Sequence, residues 1–129
     1  MEAQAMIDRL DPKVAATASG LRQRLRAELP DTAEQPDESG NVIGYGFGSG
    51  YKGLVCTIML SKSGVKLGVP HGAVLPDPDR LLEGTGKVHR YVVVADEEAT
   101  GDPRLSTLLA EARAAALARL GGGATSAAS

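Results

Sequence analysis

The stretch LLEGTGKVHR (Leu81–Arg90) gathers several chemistry-bearing side chains around a glycine-rich turn. Two glycines bracket Thr85, and Lys87, His89 and Arg90 follow. A glycine-lined turn with cations beside it could hold a phosphate or another small anion. The Walker pattern GxxxxGK[ST] does not fit, however. With Gly86-Lys87 as its end, the first glycine would fall on Leu81, and Val88 stands where Ser or Thr would hold magnesium. The order of elements is also reversed, because a helical pattern precedes this loop and a strand leaves it. The helix end that faces the loop would be its negative C-terminus, which repels phosphate. The stretch therefore reads first as a structural joint. Glu83 and Lys87 are placed to pair across the turn, Gly84 and Gly86 permit positive φ, and Thr85 can bond to local backbone. The second reading is an anion or ligand site made by Thr85, Lys87, His89 and Arg90.

Other constellations are weaker. Gly48-Ser49-Gly50-Tyr51-Lys52-Gly53 matches GxGxxG, but a dinucleotide site needs a helix after it and LVCTIML is a strand pattern. These glycines read as a bulge or hairpin region. Cys56 lies within that apolar strand and reads as a small buried hydrophobe. His71 and His89 have no metal-ligand spacing and read as surface or satisfied polar residues. Arg22, Arg24 and Arg26 read as a solvated helix face. Two acidic groups, Asp31/Glu34/Asp37/Glu38 and Asp96/Glu97/Glu98/Asp102, read as solvated loops. Within the second, Asp96, Glu97 and Glu98 are the candidate oxygen ligands for a hard cation or iron.

Composition sets the frame. The chain has 129 residues with 43% hydrophobic and 23% charged, which suits one soluble globular domain. Only four aromatics are present, Tyr45, Phe47, Tyr51 and Tyr91, so the core must be aliphatic. The net charge of −2 and the absence of a basic face with stacking aromatics argue against nucleic acid as partner. One cysteine allows no internal disulfide and fits a cytoplasmic location. MEAQAMIDRL does not have the form of a signal peptide, and no stretch approaches the ~18 apolar residues of a membrane span.

The elements that must position these residues follow from periodicity and punctuation. Asp11-Pro12, Asp77-Pro78 and Asp102-Pro103 each combine an N-cap carboxylate with a proline suited to the first helical turn. They predict helices over Pro12–Leu29, a short one from Pro78 to the Gly84 stop, and Pro103–Leu120. A further helical turn is predicted around Met6, Ile7 and Leu10. PDTAEQPDESGN reads as a loop. Strand patterns follow from Val42, then over Leu54–Leu60, Val65–Val69 and Val88–Val94, with Ser61–Gly64 as a hairpin turn. Strands without long helical crossovers pair antiparallel. The expected fold is α+β, a small antiparallel sheet flanked by N- and C-terminal helices. It forms one domain over 1–120, with a disordered Gly/Ala/Ser tail over 121–129.

PHGAVLPDPDRLLEGTGKVHRYVVV resembles the signature of the YdhG-like domains, a bacterial domain-of-unknown-function family. The resemblance is carried by Gly72, Leu75, Pro76, Asp77, Pro78, Leu81, Leu82, Glu83, Gly84, Thr85, Gly86, Lys87 and Arg90. In layout it covers most of residues 5–120. It implies an antiparallel sheet flanked by helices. Some relatives are described as iron chaperones by likeness to frataxin, so the resemblance also makes iron a possible cargo. Tyr91 stands where many relatives carry histidine. Together these readings predict a non-enzymatic cytoplasmic module that binds a small ligand, metal or protein partner. The alternatives are a small enzyme using Lys87, His89 or Arg90, and a metallochaperone using Asp96, Glu97 and Glu98.

Overall fold

The computed structural model describes residues 2–48 and 50–121. The tail expected from 121 onward lies, over 122–129, outside the described residues. The chain forms helix α1 (Ala3–Asp8), helix α2 (Pro12–Glu28), strands β1 (Ala33–Asp37), β2 (Val42–Gly46), β3 (Leu54–Leu60), β4 (Val65–Val69) and β5 (Arg90–Val94), and helix α3 (Arg104–Leu120). The five strands pair in sequence order, β1-β2-β3-β4-β5, and every pair is antiparallel. This is an α+β fold with helices before and after one antiparallel sheet.

Strand alternation sorts the side chains into two faces. Ile43, Tyr45, Cys56, Ile58, Leu60, Val65, Leu67, Val92 and Val94 point into the core, where they meet Leu21 and Leu25 of α2 and Leu105, Leu108, Leu109 and Ala116 of α3. The other face carries Thr57, Met59, Lys66, Tyr91 and Val93, which are half-buried or exposed. Across it, the Lys66 ammonium sits 4.7 Å from the centre of the Tyr91 ring, a favourable cation–π contact.

Two of the three Asp-Pro signals open helices. Asp11 accepts from the Lys13 amide at 3.1 Å and Asp102 from the Arg104 amide at 2.9 Å, which satisfies free donors of the first turn. The third does not. No helix forms after Pro78, because Asp77 takes a left-handed φ of 43° and its carboxylate accepts from the Leu81 and Leu82 amides, both at 2.9 Å. Arg80 is also left-handed, with φ 53°. A carboxylate that spans four and five residues closes a loop instead of starting a helix.

The second correction is β1. PDTAEQPDESGN contains a strand, Ala33–Asp37, paired along its whole length with β2. Glu34 anchors it. Arg22 grips both carboxylate oxygens, at 2.8 and 2.9 Å, and the buried Tyr45 hydroxyl donates to the same group at 2.6 Å. So Arg22 is no solvated charge, and neither is Arg24, which donates to Glu28, to the Thr100 carbonyl and to Ser106. Arg26 remains exposed. In the first acidic group, Asp31 pairs with Arg113, and Asp37 accepts from Ser39 and Gly40.

The GxGxxG stretch ends in a close backbone approach at Gly53. It leads through a short 3-10 turn, Tyr51–Gly53, into β3. Tyr45 faces Cys56 while Gly46 faces Leu54, so Val55 is the extra residue of a bulge. There Phe47 donates to the Gly53 carbonyl at 2.9 Å. A Cβ on Gly46 would come within 2.8 Å of that carbonyl, so the two segments meet backbone to backbone.

Candidate functional site

The LLEGTGKVHR stretch is a closed excursion at the edge of the sheet. Glu83 and Tyr91 exchange backbone hydrogen bonds of 2.7 and 3.1 Å, which pinches the loop at its base. The Val88 carbonyl accepts from Ala73 at 2.9 Å and ties the excursion to the Gly72–Val74 turn. Gly84 holds φ at +111°, with the Tyr91 ring packed beside it. Glu83 through His89 are exposed. Among the described residues Glu83 and Lys87 form no ion pair, and no side-chain hydrogen bond involves Thr85 or Lys87. Arg90 is half-buried, and its stem packs against Gly72. It lines a shallow depression of about 430 Å³ with Leu75, Asp77, Arg80 and Leu82. Thr85, Lys87 and His89 do not line it.

Asp96, Glu97 and Glu98 lie past the other end of β5. Four further residues of strand, Tyr91 to Val94, therefore separate them from Arg90, on the order of 14 Å at the usual rise. Asp96 caps the short 3-10 turn Glu98–Gly101 by accepting from Ala99 at 2.9 Å. Among the described residues no group of three or more His, Cys, Asp or Glu is placed to hold a metal ion.

Asp96 and Glu97 face a different feature. With Asp11, Lys13, Lys62 and Ser63 they line a cleft of about 640 Å³ between the start of α2, the β3–β4 turn and the end of β5. Val14, Val65, Val94 and Ala95 supply its apolar surface. Three loop-borne carboxylates and two lysines thus surround an aliphatic floor. Asp11 and Asp96 are each held by a backbone amide. Neither lysine makes an ion pair among the described residues.

A third grouping joins residues far apart in sequence. The Tyr51 ring packs against the His71 ring, with centroids 5.0 Å apart, and the Tyr51 hydroxyl donates to the Pro70 carbonyl at 3.1 Å. Arg119 reaches back from α3 to the Lys52 and Leu54 carbonyls at 3.0 and 2.9 Å. The His71 Nε2 atom is buried and has no hydrogen-bond partner. Burial, and then the Arg119 charge, push the His71 pKa below its ordinary value. Cys56, by contrast, is fully buried, and burial alone raises its thiol pKa far above neutrality. It holds no thiolate for catalysis.

No helix among the described residues is long and apolar enough to cross a membrane. Comparison with protein-family models, with curated proteins and with solved structures returned no match to this chain.

Proposed function

We propose that this protein is a non-enzymatic binding module whose ligand seat is the cleft between α2, the β3–β4 turn and the end of β5. One observation carries this reading: groups of both charge signs border an aliphatic floor in a concavity of ligand size. A small polar molecule with an acidic and a basic end matches that lining. Lys13 and Lys62 would take the acidic end, and Asp96 and Glu97 the basic end. Nothing in the cleft is built as a nucleophile with an adjacent base, which favours binding over catalysis. Kinship with the YdhG-like domains is part of the same proposal and rests on the Gly72–Arg90 motif. A cytoplasmic location rests on the single cysteine.

The metallochaperone alternative draws on the same carboxylates, so one panel separates the two. Thermal unfolding is followed with free amino acids and related zwitterions, and anaerobically with ferrous iron and zinc. A ligand at 100 times its dissociation constant adds about 2.7 kcal/mol. A zwitterion-dependent rise in Tm that is lost in both Lys62→Ala and Asp96→Asn is the expected result. A rise with ferrous iron alone, abolished by Asp96→Asn but untouched by Lys62→Ala, would replace this reading with the metal one.

A further inference from the structure

Strand β5 lies at one edge of the sheet, and its outer side is only partly covered. Tyr91 turns its N–H and C=O away from β4 and exchanges hydrogen bonds of 2.7 and 3.1 Å with Glu83. Outward-facing residues alternate in an antiparallel ladder, so Val93 presents its N–H and C=O on the same side. The chain before Glu83 does not follow to meet them. Asp77 holds the Leu81 and Leu82 amides on its carboxylate, both at 2.9 Å. Among the described residues no other group bonds to the Val93 backbone on that side. What is left is a groove of about 410 Å³ along Val92–Ala95, bordered by Arg80 and Leu81 and by Ala99 and Leu105. It meets the charged cleft at Val94 and Ala95, which line both.

We infer that the cleft and this groove together take the amino-terminal segment of an extended polypeptide, which adds to β5 as a further strand. The inference rests on the cleft reading and narrows its ligand. Backbone is the first ground: an N–H and a C=O spaced as in a strand are matched by the main chain of another strand. Chain polarity is the second. The Glu83 rung and every pair in the sheet are antiparallel, and a strand antiparallel to β5 begins beside Ala95 and Asp96. Its terminal ammonium therefore arrives at the carboxylates of Asp96 and Glu97, where the charges are complementary. Alternation is the third. Residues opposite Val92 and Val94 share their face of the sheet and lie toward Ala99 and Leu105, so aliphatic side chains suit every second position. A second copy of this chain is the poorer occupant, because its own Glu83 excursion stands on the edge that would have to approach.

The test uses the whole chain and the peptide amide Ala-Val-Ala-Val-Lys, with its amino end free or acetylated, beside free amino acids. Binding is followed by NMR together with hydrogen exchange of the Val93 amide, which faces outward and exchanges readily without peptide. The expected result is saturable one-to-one binding of the free-ended peptide that slows Val93 exchange about ten-fold or more. Acetylation should weaken binding about ten-fold, the loss of one charge-assisted contact. Val93→Pro removes only a donor that β4 does not use, as an edge strand tolerates, and should weaken the peptide by a similar factor. Should that variant fail to fold, a peptide methylated on its third amide removes the matching donor from the other side. If free amino acids bind but the peptide does not, or if the peptide binds and Val93 exchange is unchanged, this inference falls and the cleft reading stands. If neither binds, both fall. Concentration-dependent dimerisation that Val93→Pro abolishes would give the edge to a second copy and overturn the inference.

Discussion

Gly84 shows how one position in the LLEGTGKVHR loop is fixed. At φ +111° an L residue is strained, and an added Cβ would stand 3.1 Å from the Tyr91 ring. Gly84→Ala should therefore cost about 1–3 kcal/mol, or roughly 4 °C of Tm per kcal/mol for a chain this size. Glu83→Ala leaves the backbone exchange with Tyr91 intact and should stay within about 0.5 kcal/mol. A loss from Glu83→Ala as large as that from Gly84→Ala would show that the loop depends on the Glu83 side chain as well. That a turn falls here was legible because its glycines punctuate the sequence. The Tyr51–His71–Arg119 grouping was not, since three single residues on a turn, a loop and a helix leave no spacing to read. Only the pairing of β3 with β4 and the return of α3 bring them together.

Among the elements, β1 shows the limits of pattern best. AEQPD has no apolar alternation and carries a proline, which suits a protected sheet edge. Its pairing comes from β2, and its hold on the body from Glu34. Breaking the Glu34 network strands the Arg22 guanidinium and the buried Tyr45 hydroxyl. Glu34→Ala is expected to cost about 2 kcal/mol and to speed amide exchange selectively in Ala33–Asp37. Unchanged exchange there would mean that the β2 ladder alone holds the strand. The apolar strands read well because burial on one face imposes period two, although β5 begins at Arg90 and leaves Val88 and His89 in the loop before it. LVCTIML and VKLGV match β3 and β4 residue for residue. The missing helix after Pro78 has a different cause. Its start signal is real, but Asp77 spends its carboxylate on Leu81 and Leu82, and RLLEG is too short to sustain a helix without packing.

Over the whole molecule, charge placement sets a window of pH. Hydrogen bonds hold the carboxyls of Glu28 (first from Ser106), Asp31 (from Arg113), Glu34 (from Arg22) and Asp37 (from Ser39) below their ordinary values, and Arg104 holds Asp102 at about 2. A depressed carboxyl stabilises the fold fully above its unfolded pKa, and that contribution is lost as pH falls toward the folded value. Stability should thus decline from about pH 4.5 downward. At the other end burial raises the pKa of Cys56 and Tyr45. Their unfolded forms ionise first, so stability falls again as pH rises past about 9. Urea unfolding from pH 2 to 10 should give a plateau between these limits, with a shallower acid limb in Glu34→Gln. A flat profile from pH 5 down to 2 would show that these hydrogen bonds do not persist in solution.

The meander has a consequence for how the chain comes to be assembled. Each strand pairs only with its sequence neighbours, so the sheet can zip up from short-range closures, a topology that favours rapid assembly. Its lid does not share that locality. Helix α3 packs against β3 and the Tyr51–Gly53 turn, yet it follows them by half the chain. During synthesis the sheet is complete once Val94 has left the ribosome, while the part of β3 that α3 packs against still lacks that cover. Until α3 emerges, the nascent protein presents a finished, sticky surface to its surroundings, and the interval between those two moments is its period of greatest exposure to misassembly.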